Sequence, residues 1–282
     1  MTAWLLRRAR ELVELIRRDH RNDVLERIRL SDGELNRWER LAAELYVPLH
    51  EGVISQFAGY ERLSPIDLDG YRARYGNIGR LDLILDAEGD AVRRYQVAKQ
   101  ADVLMLFYLL SAEELRDVFE GLGYDLTPGT IRGTVDYYTA RVAHGSTLSA
   151  VVHAWVTARA DRAGSWAQFR EALSTDIADI QGGTTAEGIH LGAMAGTLDL
   201  LQRCYTGLEV REDALWLNPA LPAELERLRF ALNYRDHWVD IDVDHHRLAV
   251  GAAAGQALPA TLVLRGERRT LEPGQWIERE LV

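Results

Sequence analysis

Over roughly the first 205 positions, apolar residues recur at spacings of three and four, the period of a helix with one buried face. Met1 to Arg18 sets Leu5, Ala9, Leu12, Val13 and Ile16 among Arg and Glu, which predicts an amphipathic helix rather than a signal-peptide core. Residues 34 to 46 repeat the pattern with Leu35, Trp38, Leu41, Ala42 and Leu45. Val97 to Leu110 is apolar nearly all round and predicts a helix buried between neighbours. Ser111 followed by Glu114 is a capping-box signature that opens another short helix. Gly121, Gly123, Pro128 and Gly129 read as loop punctuation, so the next helix is expected to begin at Asp136. Leu148 to Ala160 places Leu148, Val151, Val152, Trp155 and Val156 on one face and His153 away from it, and Trp166 to Leu173 continues the helical period. Several one-faced helices joined by medium loops predict a helical bundle or toroid.

Beyond Gly207 the period drops to two. Leu215 and Leu217, then Val239, Ile241 and Val243, then Leu248 and Val250, then Leu262 and Leu264 alternate with polar residues, and Asn, Pro, Gly and Asp separate the runs. This tail reads as a small antiparallel β-sandwich, so the chain is mainly α with a β tail, divided at 1–206 and 207–282. Asp240, Asp242 and Asp244 alternate with Val and Ile as the solvated face of a strand. That alternation, with no calcium-loop Gly and Glu, argues against a metal site in Asp240 to His246.

Composition narrows the partners. A net charge of -10 lacks the excess of Lys and Arg that non-specific nucleic-acid binding needs, so a polar small molecule is the better ligand. Cys204 is the only cysteine, so no intrachain disulfide can form, which suits a reducing cytoplasm. No apolar run approaches the roughly 20 residues that span a bilayer.

Two segments stand out chemically, His144-Gly145-Ser146-Thr147-Leu148-Ser149 and Gly188-Ile189-His190-Leu191-Gly192, each a small polar loop running into a helical stretch. A helix start offers unpaired N–H groups and the positive end of the macrodipole, so such junctions suit anions. On local grounds Ser146 and Thr147 read equally as a plain N-cap, and His190 as a partly buried histidine. Lys99, heading an apolar stretch, also fits a side chain that snorkels to water. Trp38, Trp155 and Trp166 read as core, and Asp176 and Asp179 as a solvated helix face.

The order of four segments, KQADVLMLFYLL at 99–110, YYTARVAHGSTLS at 137–149, DIADI at 176–180 and TAEGIHLGAMAGTLDLL at 185–201, resembles glycoside hydrolase family 65. Leu45-Tyr46-Val47-Pro48 and Gln56-Phe57-Ala58-Gly59-Tyr60 fit its pattern too. The family contains inverting disaccharide phosphorylases acting on maltose, trehalose, kojibiose and related glucosides. The resemblance implies the C-terminal part of an (α/α)6 barrel followed by a β-sandwich. It also implies that Lys99 and Gln100 contact the glucosyl unit, that Ser146 and Thr147 bind phosphate with His190 completing the site, and that inorganic phosphate is a co-substrate with no cofactor or metal. The family's general acid is a Glu in an Asp-Glu-Tyr or Asp-Glu-Phe motif, and the sequence has no Asp-Glu dipeptide. The resemblance therefore implies an acid upstream of this chain, with no catalytic residue in the chain itself. Its expected partners are an α-linked glucose disaccharide and phosphate, with a second copy or the upstream half of a split enzyme. A non-catalytic carbohydrate- or phosphate-binding fragment and a phosphate-assisted hydrolase such as a trehalase stand as alternatives.

Overall fold

The computed structural model describes every residue except 20, 99, 144, 145, 180–184, 212 and 282. The chain forms two compact units, Met1–Gly70 with Leu85–Val142, and Tyr71–Ile84 with Ala143–Val282.

The first unit begins with α1 (Thr2–Arg18), α2 (Asn22–Arg27) and α3 (Asp32–Glu44). α3 starts where the Glu34 N–H donates to the Ser31 hydroxyl at 3.2 Å, an N-cap that satisfies an orphan donor. The expected stripe of α1 is only partly used: Ala3 and Val13 are buried, while Leu5 and Leu12 are 60% and 58% exposed. Val13, Leu25 and Leu35 form a small core with Trp38 packed against it. A short hairpin, β1 (Leu49–His50) and β2 (Val53–Ile54), follows; next in the chain come α4 (Leu68–Tyr75) and α5 (Leu81–Ala87), whose residues Tyr71–Ile84 belong to the second unit.

The apolar stretch 97–110 departs from expectation, because only α6 (Met105–Leu109) is helical. The Ala98 N–H donates to the Arg141 carbonyl at 2.9 Å, and Ala98 bridges Val142 in parallel, so this backbone pairs sideways instead of along a helix axis. α7 (Ala112–Glu120) carries both halves of the Ser111–Glu114 capping box. α8 (Pro128–Thr139) starts eight residues before the expected Asp136. Thr127 accepts from the Thr130 N–H at 3.0 Å, and Pro128 at the first helical position gives up only an N–H that has no helical partner. What reads as loop punctuation is a helix start.

In the second unit, α9 (Thr147–Thr157) packs against α10 (Arg162–Ala178) and α11 (Leu191–Asp199). α9 is buried on all sides from Ser149 to Val156, so His153, expected to face away from the core, is 1% exposed. Trp155 is core, and Trp166 stacks on Phe169. Tyr205 is fully buried and shares a hydrogen bond with the Ser165 hydroxyl at 3.0 Å, which in turn donates to the Ala154 carbonyl at 2.7 Å.

Eight strands complete the unit: β3 (Glu209–Arg211), β4 (Ala214–Leu217), β5 (Arg227–Tyr234), β6 (His237–Asp244), β7 (Arg247–Ala252), β8 (Ala260–Leu264), β9 (Glu267–Leu271) and β10 (Trp276–Glu280). They form two four-stranded sheets, ordered β10-β7-β6-β5 and β3-β4-β8-β9. All pairs run antiparallel except β4 with β8. Arg235 and Asp236 both take positive φ between β5 and β6, the twist a two-residue hairpin loop requires. Leu215, Leu217, Val239, Ile241, Val243, Leu248, Val250, Leu262 and Leu264 meet in one core, as the period-two pattern predicts. Asp242, expected on the solvated face, is 7% exposed. Arg227 donates to it from Nε at 2.7 Å and from Nη2, with Arg247 at 3.7 Å. Asp242 is covered because two arginines reach it, while Asp240 and Asp244 stay partly exposed. This mainly helical part followed by a β-sandwich is consistent with part of an (α/α)6 barrel and its β domain.

Candidate functional site

Ser146 stands at the N-cap of α9 with extended backbone (φ -141°, ψ 137°), yet its side chain makes no capping hydrogen bond. Its carbonyl accepts from the Ser149 N–H at 3.0 Å, so the helix starts in the ordinary way while the hydroxyl is left out of the cap. Ser146 and Thr147 open onto a cavity of about 190 Å³, whose wall also includes Thr175, Glu171, Asn77 and Arg72. The cavity forms because α9 and α10 lie side by side and a tight turn after α4 closes one end. Gly76 takes φ +70° there, and the Gly79 N–H donates to Asn77 Oδ1 at 2.8 Å. The hydroxyls of Ser146 and Thr147, a helix start and one guanidinium suit a small oxyanion, while the Thr175 hydroxyl donates to the Glu171 carbonyl at 3.2 Å and the Glu171 carboxylate is the one opposing charge. His144 and Gly145, the first residues of this motif, lie outside the described residues.

His190 occupies the N-cap of α11. Its ring Nδ1 lies 2.6 Å from Asp176 Oδ1, and its backbone N–H donates to Asp176 Oδ2 at 2.9 Å. The Asp176 side chain is only 9% exposed, and the hydrogen bond from His190 holds its carboxyl below the usual range. Asp179 accepts from Thr185, from the N–H at 3.3 Å and the hydroxyl at 3.2 Å. The expectation of a solvated face holds for Asp179, which is exposed, and is corrected for Asp176, which is not. Each reaches across to the segment that carries His190. Asp176 directly follows Thr175 of the cavity wall, which ties the histidine to the helix that lines the cavity.

Of the other expected site residues, Gln100 lies exposed in a bend of the first unit before α6, and Lys99 lies outside the described residues. That unit has its own cavity, of about 220 Å³, walled by Tyr60, Tyr137, Tyr138, Gln96 and Arg141. The Gln96 amide donates to the Glu61 and Leu63 carbonyls at 3.0 and 2.9 Å, and the Tyr137 hydroxyl donates to Gln96 Oε1 at 3.0 Å. Arg141 lies 3.7 Å over the Tyr137 ring. Burial pushes the Tyr60 and Tyr138 phenols well above their ordinary range. Among the described residues no group of three His, Cys, Asp or Glu is placed to hold a metal, and no helix is long and apolar enough to cross a membrane.

Thr175, Glu171, Asn77 and Arg72 of the first cavity were not legible in the sequence, and Asp176 beside it reads there as part of a solvated face. The one signal available was the placement of two acids at the C-terminal end of a helix, where the macrodipole favours bases.

Comparison with known proteins adds to this geometry. Residues 1–199 match the glycosyl hydrolase family 65 central catalytic domain, and residues 208–271 match the C-terminal domain of the same family. The chain is 50% identical over 278 residues to an uncharacterized glycosyl hydrolase of Mycobacterium tuberculosis, covering 99% of this chain and 21% of that protein. It is 38% identical over 222 residues to trehalose 6-phosphate phosphorylase of Lactococcus lactis, covering 78% of this chain and 29% of the relative. Among solved structures, a putative kojibiose phosphorylase from the human microbiome superposes with TM-score 0.68 at 18% identity, covering 92% of this chain and 32% of that one, a likeness of fold. The chain thus spans between 21% and 34% of the length of these and other curated relatives.

Proposed function

The chain belongs to glycosyl hydrolase family 65, and from that premise we propose that it carries the phosphate side of an inverting phosphorylase of α-linked glucose disaccharides. In this reading phosphate sits against Ser146 and Thr147 with His190 beside it, while Lys99 and Gln100 contact the glucosyl unit. The domains are 1–206 and 207–282. The observation that carries the reading is the Ser146 hydroxyl, which stands at a helix start and opens on a cavity without serving as the cap.

The chemistry follows from that placement. A phosphate oxygen held by the hydroxyls takes the position a hydrolase reserves for its activated water and attacks the anomeric carbon opposite the leaving group. The product is β-glucose 1-phosphate. The leaving oxygen needs a proton, and with no Asp-Glu dipeptide in this sequence the donor is proposed to be a Glu outside these 282 residues. Its absence costs about 10²- to 10⁴-fold in rate, so the chain alone is expected to bind phosphate but to turn over poorly. Because a relative at 38% identity is a trehalose 6-phosphate phosphorylase, phosphorylated α-glucosyl disaccharides belong among the substrates.

Calorimetry with inorganic phosphate tests the site. Binding by the chain, weakened in Ser146→Ala and Thr147→Ala, supports it, and unchanged binding in both variants refutes it. Assay of β-glucose 1-phosphate from disaccharides and phosphate tests the reaction. Release by the chain alone at ordinary enzymatic rates would overturn the missing-acid argument. Release only with an added polypeptide carrying the Asp-Glu motif would favour a split enzyme.

A further inference from the structure

The last turn of α10 contains no basic residue, yet it presents Asp176 there with Asp179 as the C-cap. Anionic groups at a helix C-terminus face the negative end of the macrodipole, so two of them need compensation from elsewhere. The compensation comes from residues 185–190. Asp179, itself held at φ +47°, takes both Thr185 donors at one end, and Asp176 takes both the backbone N–H and the ring of His190 at the other. A contact that merely docked this segment would be met by the backbone hydrogen bond. The second bond, to the ring, orients the imidazole.

We infer that Asp176 is a positioning residue of the phosphate site, fixing the His190 ring with Nδ1 as donor to its carboxylate and leaving Nε2 as the ring atom offered to the anion. The assignment of the proton follows from chemistry. An ionised carboxylate only accepts, so the shared proton belongs to Nδ1, and a neutral imidazole carries no second one; Nε2 therefore meets the anion as an acceptor, taking a hydrogen bond from the P–OH of hydrogen phosphate. The hydrogen bond from His190 keeps the Asp176 carboxyl acidic, in agreement. Burial of the carboxylate to 9% exposure removes the water that would compete for it, and the paired contacts at 2.6 and 2.9 Å hold ring and backbone together. The arrangement parallels metal-ligating histidines, where a carboxylate on one nitrogen sets the tautomer and aim of the other.

The inference rests on the phosphate reading, and the experiment separates the two. Histidine ring ¹⁵N resonances of the 282-residue chain, with His190 assigned through a His190→Gln variant, report the tautomer at about pH 8, above the ordinary histidine range. The wild type is expected to show His190 protonated at Nδ1. Asp176→Ala is expected to shift the ring towards the Nε2–H form that free histidine prefers, and to raise the dissociation constant for inorganic phosphate by about 10-fold or more, the loss of one hydrogen bond to a charged group. Ser146→Ala is expected to weaken phosphate binding and leave the tautomer unchanged. A wild-type ring protonated at Nε2, or a tautomer and phosphate affinity indifferent to Asp176→Ala, overturns the inference alone. Failure of the wild type to bind phosphate overturns the phosphate reading and Asp176's role in it, even with the tautomer as expected. If Asp176→Ala does not fold, Asp176→Asn, which keeps one carbonyl acceptor, carries the comparison: a mixed tautomer and a smaller rise in the dissociation constant support the inference, and no change in either refutes it.

Discussion

Gly196→Ala tests whether α9 and α11 cross as closely as the structure places them. A methyl group at position 196 would lie 2.8 Å from Val151 Cγ1, 3.2 Å from Cγ2 and 3.4 Å from Cβ. Carbon atoms prefer about 3.5–4.0 Å, so the closest contact is short by roughly 0.7–1.2 Å. Val151 cannot easily yield, because it is completely buried and a β-branched side chain in a helix has one strongly preferred rotamer. Overpacking of this kind costs about 1–3 kcal/mol, while replacing a helical Gly by Ala returns up to about 1 kcal/mol. With three atoms of one rigid side chain in the way, the net expectation is a loss of about 1–2 kcal/mol. At roughly 2–4 °C per kcal/mol for a unit of this size, the melting temperature falls by about 2–8 °C.

Urea unfolding and thermal melting, followed by circular dichroism, measure this directly. In a Val151→Ala background the obstructing methyls are gone, so adding Gly196→Ala there is expected to stabilise by up to about 1 kcal/mol, and the double-mutant cycle to show a coupling of about 1–3 kcal/mol. Gly133→Ala in α8 is the control. Nothing lies within 4 Å of its added methyl, so the same substitution is expected to gain roughly 0.5–1 kcal/mol. A Gly196→Ala variant at least as stable as the wild type, or one whose cost is the same with Ala at 151, refutes the close crossing.

Three further outcomes follow from individual contacts. Burial pushes the Cys204 thiol up to about 11, so it is expected to react slowly with Ellman's reagent at about pH 8 and fully once the chain is unfolded, whereas fast reaction of the folded chain contradicts the placement. The hydrogen bond from Arg227 holds the Asp242 carboxyl below its ordinary value, so its contribution is present above the unfolded value near 4 and disappears as pH falls through the folded one. Asp242→Asn is expected to lose about 1–3 kcal/mol at neutral pH, with the gap to wild type narrowing below about pH 4, as read by urea titrations across pH. A gap independent of pH down to acid denaturation counts against the ion pair. Ser111→Ala removes one half of the α7 capping box and is expected to cost about 1 kcal/mol by urea unfolding, and no loss beyond a few tenths means the box is not formed in solution.

Much of the fold was legible because it depends on near neighbours in the chain. The capping box at Ser111 and Glu114 involves residues three apart, and the core of the sandwich follows from alternation within single strands. The family resemblance was legible for a similar reason, since its motifs are short runs in a fixed order. Misreadings arose where the partner is remote in sequence. The stretch 97–110 has a helix's composition, but the Ala98 N–H bonds to Arg141, 43 residues away, and the helix shrinks to Met105–Leu109. Pro128 and Gly129 resemble a loop until Thr127 is seen to cap the helix they begin.

The sequence by itself therefore determined the types of element, most of their starts and the family. Tertiary structure decided which polar groups are buried and what they face. Asp242 is covered because β5 and β7 bring arginines to it, and Asp176 is hydrogen-bonded to both the backbone N–H and the ring of His190, 14 residues further along the chain. A carboxylate's environment is set by whatever chain segment displaces its water, and that segment is chosen by the fold. In this chain the same displacement separates a solvated acid from one hydrogen-bonded to a histidine ring.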